Sequence, residues 1–334
     1  MIKKVQFIPY KIVEGKPLYF VGRATHNGLW RLPTGHVGDD KGREQEAYIE
    51  GVKRELVEEL GTSQWRNFFY TGQTNNFVAK NSSDPKRNGE VKELAFAFDI
   101  TGSQLNVDKK EFSQYEFLEK DKAIEKLEYV WHKSSLLKTN ETIVNQLYPK
   151  IFIICGSAGA GKGAITQALL KNRKLNLVKA RTVTTREKRP NESSERIFVD
   201  KKKFNQMEAN GELIEKNCYN GNWYGASKNE VDNILGLGKN ALMEIDLNGV
   251  RSFKKLFANV YAIFLEVDLK DLKKRLVKRA TESPEAIEKR MGIARIEIRH
   301  AGICDKIVKN IEGKMDLAVK EIESIIRSQK GQKK

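Results

Sequence analysis

The chain has 334 residues, 40% of them apolar, and its 60 Lys and Arg against 44 Asp and Glu give a formal charge of +16. That length exceeds one ordinary domain, so two are expected; no apolar run nears the roughly 18 residues of a membrane span, and Met1-Ile-Lys-Lys-Val lacks the apolar segment of a signal peptide. The charge calls for acidic partners, either nucleic acid or phosphorylated small molecules, although lysines dispersed through Lys/Glu-rich stretches also read as solvated helix faces.

In chain order, strand patterns cover Lys4–Pro9 and Pro17–Val21, and a helical pattern runs from Glu46 to Leu60. Strand patterns return at Phe68–Thr71 and Glu93–Asp99, separated by the polar stretch Asn81–Gly89, and helices are expected over Lys120–Leu127 and Asn140–Leu147. Pro149-Lys150 precedes the apolar strand pattern Ile151–Cys155, after which strands alternate with helical segments, the signature of a parallel α/β sheet. The boundaries are set at 1–147, 148–329 and a basic tail, 330–334, expected to be disordered. Cys155, Cys218 and Cys304 are far apart and follow no metal spacing, which suggests a reduced chain in the cytoplasm.

Within the first helical pattern Glu55, Glu58 and Glu59 stand at i, i+3 and i+4, on one face. Like charges so placed repel, and a divalent cation with a preference for hard oxygen ligands, Mg²⁺ or Mn²⁺, would offset the repulsion. An ordinary acidic helix face is the alternative. The string Glu46-Ala-Tyr-Ile-Glu-Gly-Val-Lys-Arg54-Glu55-Leu56-Val-Glu58-Glu59-Leu-Gly61 resembles the Nudix box, G-x5-E-x7-R-E-U-x-E-E-x-G-U, and Trp30-Arg-Leu-Pro-Thr-Gly35 resembles that family's entry loop. Two departures stand out: ten residues separate Gly35 from Glu46 where the pattern has five, and Thr62 takes the place of the last apolar residue. The resemblance implies a Nudix α/β/α sandwich on a mixed sheet that hydrolyses a nucleoside triphosphate or another nucleoside diphosphate linked to a moiety X. Glu55 and Glu58 would be catalytic, Glu55, Glu58, Glu59 and Glu111 would hold the metal, and Arg54 would orient the carboxylates. Glu111 is carried over from the late segment Glu111-Phe-Ser-Gln-Tyr115-Glu-Phe.

The second half opens with Gly156-Ser157-Ala158-Gly159-Ala160-Gly161-Lys162-Gly163 directly after a strand pattern. This is the context in which a glycine-rich loop cradles phosphates: backbone N–H groups at the following helix start form an anion nest, and Lys162 adds a point charge. The hydroxyl residue that should follow the lysine is missing. Gly163 has precedent among nucleoside monophosphate kinases, so Ala164 is the anomaly, and Thr166, about 200° around the helix, should not substitute.

From here the chain resembles guanylate kinase over nearly all of residues 151–327, which implies a P-loop nucleoside monophosphate kinase fold: a parallel sheet with helices on both faces, plus lid and nucleotide-binding subdomains. The resemblance implies ATP held by residues 156–163 and Asn310. Thr184-Thr-Arg186-Glu-Lys-Arg189-Pro would clamp the acceptor phosphate through Arg186 and Arg189, and Thr182 and Glu215 would read the guanine edge. Tyr224 and Asp246 would complete the GMP site, while Lys162, Arg275, Arg279 and Arg290 would neutralise the transferring phosphoryl group. Departures are Arg196 at a phosphate-binding tyrosine position, Ala226 for a hydroxyl residue and Glu244 for an aspartate. The expectation is a bifunctional enzyme, a GMP/dGMP kinase using ATP and Mg²⁺ joined to a Nudix pyrophosphohydrolase, with small nucleotides rather than nucleic acid or membrane as partners. A sugar-phosphate kinase and a non-catalytic guanine-nucleotide-binding module are the alternatives.

Overall fold

The structure is a computed structural model that describes residues 1–38, 46–80, 88–188, 196–219, 221–278 and 283–329. It divides into two compact units, built on Met1–Tyr148 and on Pro149–Ile234 with Lys239–Lys334.

The first unit runs β1 (Ile2–Val13), β2 (Lys16–Ala24), β3 (Trp30–Arg31), β4 (Thr34–Val37), α1 (Tyr48–Leu60), β5 (Asn67–Ala79), β6 (Gly89–Asp99), β7 (Phe112–Leu118), α2 (Lys120–Lys126) and α3 (Val130–Val144). Its strands form one mixed sheet: β1 and β6 pair in parallel, and β2, β4, β5 and β7 join antiparallel. Alternation along β1 sends Val5 and Phe7 into one core with Val52, Leu56 and Leu60 of α1, and Ile8 and Tyr10 into another with Ala123 and Leu136 of α2 and α3. Burial of each such side chain contributes about 1.5–3 kcal/mol. The α1 helix begins where the Ala47 N–H meets Glu50 Oε2 at 3.2 Å and ends at Gly61, whose φ of +67° gives the left-handed cap that glycine adopts without strain.

Two elements depart from the sequence reading. The last helix starts at Val130, ten residues before the expected Asn140, because its buried face carries His132, Ser135, Thr139 and Thr142, whose polarity hides the helical period. The segment after Glu111 is a strand, paired antiparallel with β2. The expected polar stretch at 81–87, the insertion before α1 at 39–45 and the tail 330–334 lie outside the described residues.

The second unit runs β8 (Ile151–Cys155), α4 (Lys162–Lys171), β9 (Leu177–Lys179), β10 (Thr182–Thr184), β11 (Arg196–Phe198), α5 (Lys201–Ala209), β12 (Leu213–Tyr219), β13 (Asn222–Ser227), α6 (Lys228–Gly236), β14 (Asn240–Glu244), α7 (Leu247–Leu256), β15 (Val260–Glu266), α8 (Leu269–Lys278), α9 (Pro284–His300), β16 (Lys306–Lys309) and α10 (Met315–Ser328). A parallel sheet in the order β16-β15-β8-β14-β9 forms its base. β8 is buried along its whole length, as a strand covered on both faces must be. A second, smaller sheet in the order β11-β10-β13-β12 carries residues from the 182–227 region. In parallel sheets ligands gather beyond the carboxyl ends of the strands, and β8 and β14 end at Cys155 and Glu244, beside the glycine-rich loop.

Candidate functional sites

In the first unit one guanidinium organises the acidic face of α1. Arg54 Nε donates to Glu46 Oε1 at 2.9 Å and its Nη2 to Glu46 Oε2 at 3.1 Å, a bidentate pair. Its Nη1 donates to both Glu55 Oε1 (2.9 Å) and Glu58 Oε2 (2.8 Å), and its Nη2 reaches the His36 carbonyl at 2.7 Å. These pairings raise the Arg54 pKa further, the bond to Glu46 most of all. Glu46, Glu55 and Glu58 thus converge on Arg54, which carries α1 and the β4 strand as one frame. A Cβ at Gly35 would collide with the Glu55 side chain, so the glycine of the entry loop is what lets the helix carboxylate approach.

Glu59 faces differently. It is only 4% exposed, and its Oε2 has no hydrogen-bond partner. Burial pushes its carboxyl well above the ordinary range; the nearby Arg31 pulls it down, while the charges of Glu55 and Glu111 push it further up. The structure therefore gathers Glu55, Glu59 and Glu111 into one electrostatic neighbourhood. Glu111 is fixed there by Arg31, whose Nη2 donates to Glu111 Oε2 at 3.2 Å and whose Nη1 donates to Thr34 Oγ1 at 3.2 Å. Sequence reasoning passed over Arg31; its signal was a charged residue inside the entry loop it quoted. His132 was also missed. Buried, and held to a pKa of about 3 by burial and by the charges of Arg31 and Lys4, its neutral Nδ1 accepts the Leu32 N–H at 3.0 Å and anchors the same loop. Thr62, the departure from the box, is buried with its Oγ1 accepting the Gln64 N–H at 3.2 Å, so its polarity is satisfied locally.

Among the described residues no three His, Cys, Asp or Glu side chains form a ready cage for a metal ion. Glu55 and Glu58 are both engaged by Arg54 Nη1. The chemistry of the donor set fits a hard divalent cation nonetheless: the orphaned Glu59 oxygen is a buried anionic acceptor lacking a partner, with Glu55 and Glu111 near it.

In the second unit the glycine-rich loop takes φ values of +137° at Gly156 and +93° at both Gly159 and Gly161. A Cβ at Gly156 would come within 2.5 Å of the Leu265 carbonyl, and one at Gly161 within 2.7 Å of Asn310 Nδ2, so the loop lies flat on its surroundings. Ser157 and Ala160 are buried beside it. Asn310 braces the loop from below: its amide donates to the Ala160 carbonyl at 2.8 Å, and it also lines a cavity of about 340 Å³ with Glu266, Asp268 and Lys309. Arg275 lies close by, its Nε donating to Glu312 at 2.6 Å and its Nη2 to the Asn310 carbonyl at 3.2 Å.

Lys162, at the first turn of α4, bends back over the loop and donates to the carbonyls of Gly156 and Ser157. Burial lowers its pKa, opposed in turn by Glu297, Glu244, Cys155 and Asp246. It opens on a cleft of about 370 Å³ that it shares with Thr182, Glu215, Tyr224 and Asp246, as well as with Arg196 and Glu297. Arg196 was flagged in the sequence only as a departure. Its Nη1 donates to Thr182 Oγ1 at 3.1 Å and its guanidinium lies 5.4 Å from the Tyr224 ring centre, so a permanent cation stands at the cleft wall. Asp246 caps α7 through the Gly249 N–H at 2.8 Å and accepts from Asn217 Nδ2 at 2.9 Å. Burial, then the charge of Asp246, pushes the Glu215 carboxyl up to about 7. Glu297 had no motif to announce it; it lies 135 positions beyond Lys162 (297 − 162) on α9.

Arg186 is not among the residues lining this cleft; its guanidinium lies 5.6 Å from the Phe198 ring centre and donates to the Glu187 carbonyl. Arg290 sits half-buried on α9, and Arg189 and Arg279 lie outside the described residues. Thr166 is buried with its hydroxyl unpaired, so it does not reach the loop. Gly163 and Ala164 are both exposed, and a Cβ at Gly163 would lie 3.8 Å from Glu244 Oε2. A hydroxyl at Gly163 would thus stand beside one of the cleft's carboxylates. Gly163→Ser is expected to raise kcat/KM for MgATP about threefold to tenfold, gaining roughly one hydrogen bond's worth of about 1 kcal/mol. Steady-state kinetics at saturating acceptor check this, with Ala164→Thr as the less effective comparison.

A glycine-rich loop between a parallel strand and a helix, with a lysine at the helix start beside an acceptor cleft, defines a P-loop phosphotransferase. The guanylate kinase family model matches residues 148–329 and the NUDIX domain model residues 11–139. The chain belongs to the guanylate kinase family and carries a Nudix domain ahead of that kinase domain. It is 35% identical over 183 residues to the guanylate kinase of Carboxydothermus hydrogenoformans, covering 54% of this chain and 88% of that one. The guanylate kinase of Lactobacillus johnsonii is also 35% identical, over 182 residues, with 54% and 88% covered. The crystal structure of guanylate kinase from Anaplasma phagocytophilum superposes with a TM-score of 0.44 at 24% identity, covering 56% of this chain and 88% of that one. The chain joins two enzyme classes, a nucleotide kinase and a Nudix hydrolase.

Proposed function

We propose that the second unit transfers the γ-phosphoryl group of ATP to GMP or dGMP, and that the first unit hydrolyses a nucleoside triphosphate or another nucleoside diphosphate derivative. The observation that carries the kinase reading is Glu215 in the same cleft as Lys162, with Thr182, Tyr224 and Arg196 around it. Guanine offers two adjacent N–H donors on its N1 and N2 edge and adenine does not, so a carboxylate is a purine reader with a built-in preference. A sugar phosphate gives Glu215 nothing to accept from. Arg196, Tyr224, Arg186 and Arg189 supply donors for the acceptor phosphate. Lys162 leaves the loop carbonyls to meet the donor phosphates, and Arg275, Arg279 and Arg290 neutralise the charge shared in transfer. Asn310 holds the loop in the shape that the phosphates need, above the cavity that suits the donor base.

In the first unit Glu55, Glu58, Glu59 and Glu111 would hold Mg²⁺ or Mn²⁺, which when bound supplies charge neutralisation for the pyrophosphate and an activated water. Arg54 holds Glu55 and Glu58 in register, and Arg31 presents Glu111. The monophosphate released by such hydrolysis of a guanine nucleotide is an acceptor for the kinase, a chemical logic for the fusion. This reading expects small nucleotides in the cytoplasm as partners rather than nucleic acid or membrane; among the described residues no helix is long and apolar enough to cross a membrane.

A phosphoryl-transfer panel of ATP with GMP, dGMP, AMP, UMP and ribose 1,5-bisphosphate tests the kinase reading, with GMP and dGMP expected to lead. GMP binding without turnover of any acceptor would sink it, and preferential turnover of the sugar phosphate would replace it. Glu215 adds a pH signature. Its carboxylate must be charged to accept from guanine, and with a pKa near 7 it becomes protonated as the pH falls through that value. The KM for GMP is therefore expected to climb about tenfold per pH unit below the pKa of the free enzyme. In Glu215→Gln this acid limb should vanish and GMP should lose its advantage over AMP.

A further inference from the structure

The structure holds a thiol pair that neither activity uses. Cys155 is the last residue of β8, fully buried, and its Sγ lies 3.2 Å from the Sγ of Cys304, which is half-buried just ahead of β16. The two residues are 149 positions apart, and each thiol is free. Lys254 bonds to both chain neighbours of Cys304, its Nζ donating to the Ile303 carbonyl at 2.9 Å and to Asp305 Oδ1 at 2.8 Å. Cys218, the third cysteine, is exposed.

We infer that Cys155 and Cys304 form a redox modification site, closing to a disulfide at the root of the phosphate-binding loop when a hydroperoxide reaches Cys304. The separation must shorten by about 1 Å to reach a disulfide's ~2.05 Å. The chemistry proceeds in two balanced steps. The Cys304 sulfur attacks the peroxide O–O bond, giving a sulfenic acid and an alcohol or water; the peroxide is reduced by two electrons and the thiol oxidised by two. The Cys155 thiol then attacks the sulfenic sulfur, forming the S–S bond and expelling the hydroxyl as water with the thiol proton. Contact with Cys155 and the nearby Lys254 pull the Cys304 thiol down, while burial resists; Cys155, hydrogen-bonded to its neighbour and buried, is pushed up. Cys304, the more accessible of the two, is the better placed first nucleophile, and the fully buried Cys155 is the resolving thiol.

The site bears on transfer because nothing separates it from the loop. Cys155 is followed directly by Gly156, whose carbonyl receives Lys162 and whose backbone leaves no room beside the Leu265 carbonyl. A pull on Cys155 is therefore passed to the donor-phosphate cradle, where a displacement of about 1 Å can cost on the order of 100-fold in rate. This effect on transfer rests on the kinase function proposed above; formation of the disulfide does not.

The test uses the full chain carrying Cys218→Ser, treated with hydrogen peroxide and then with dithiothreitol. The expected result is loss of both titratable thiols, a Cys155–Cys304 peptide by mass spectrometry, a fall in GMP phosphorylation of at least about tenfold, and recovery of both thiols and activity on reduction. The same chain with Cys304→Ser should keep its kinase activity after peroxide. Two thiols remaining after peroxide, or equal loss in the Cys304→Ser chain, would overturn the inference. So would parallel loss of the hydrolase activity, whose unit contains no cysteine. Should the reduced protein phosphorylate no acceptor, that counts against the function proposed above, and the thiol count decides the modification site by itself.

Discussion

Lys162→Ala is expected to lower GMP phosphorylation by about 1,000-fold, roughly 4 kcal/mol of transition-state stabilisation, while leaving hydrolysis by the first unit unchanged. The magnitude follows from where the ammonium sits. It is half-buried against a glycine-rich loop, its present partners are two loop carbonyls, and burial lowers its pKa while the carboxylates of Glu297, Glu244 and Asp246 oppose that shift. A charge so placed at the cleft acts on phosphoryl oxygens with less screening than one in open solvent. The loss should fall mainly on kcat, because the backbone N–H groups of the loop still bind ATP. Rapid-quench measurement of the transfer step, beside the affinity for ATP, checks the division. A drop of less than about tenfold would mean that the lysine merely shores up the loop. Lys162→Arg is a useful companion: it keeps the charge, but its planar fork is too broad for the position between the Gly156 and Ser157 carbonyls, so it should recover little.

The contrast between Lys162 and its helper Glu297 shows which features of this chain are legible in one dimension. Gly156 to Lys162 is a contiguous string because one turn of backbone wraps one phosphate group. Glu55, Glu58 and Glu59 are equally local, set by the pitch of α1. The strings were readable, and so was the parallel sheet that follows from buried apolar strands, but the single face expected for the glutamates divides: Glu59 turns into the core while Glu55 and Glu58 pair with Arg54. What escaped are the partners that arrive from elsewhere in the fold. Arg31 reaches Glu111 across 80 positions, and Asn310 reaches the Ala160 carbonyl across 150. No spacing rule encodes either, since each is a product of sheet order. The Asn310 position was found through resemblance, but its part in bracing the loop was not. Helix α3 escaped for a different reason: its inner face carries polar residues, two of which bond within the helix, Thr139 Oγ1 to the Ser135 carbonyl and Thr142 Oγ1 to the Lys138 carbonyl, both at 2.8 Å. Amphipathic periodicity therefore had little to register. The hydroxyl question at the loop also changed with the third dimension. Counting residues put the deficit at Ala164; the fold adds that a side chain at Gly163, equally exposed, would lie beside Glu244.

Glu59→Gln is expected to abolish metal-dependent hydrolysis, by about 100-fold or more, and at the same time to raise the thermal midpoint of the chelator-treated protein at neutral pH. The two effects have one origin. Glu59 is a buried carboxylate with an unpaired oxygen, beside Glu55 and Glu111, and only Arg31 and Lys4 offset it. An unsatisfied buried polar atom costs about 1–3 kcal/mol, more when charged. The sign follows from linkage: its folded pKa is raised, so the folded state binds more protons, and the stability it contributes is greatest at low pH and is lost as the pH rises from the unfolded value of about 4.3 toward the folded one. Gln has no charge to desolvate, so the substitution should flatten that decline. Calorimetry from pH 4 to 8, with EDTA and with Mg²⁺, reads both halves of the claim. In the unaltered chain Mg²⁺ should raise the midpoint, because a cation meets the orphaned oxygen; in Glu59→Gln the metal increment should shrink even as the metal-free midpoint climbs. Equal metal increments in both chains would remove Glu59 from the metal site. A lower midpoint for Glu59→Gln in EDTA would show that Arg31 already compensates the charge, and that the carboxylate is a structural anchor for the entry loop.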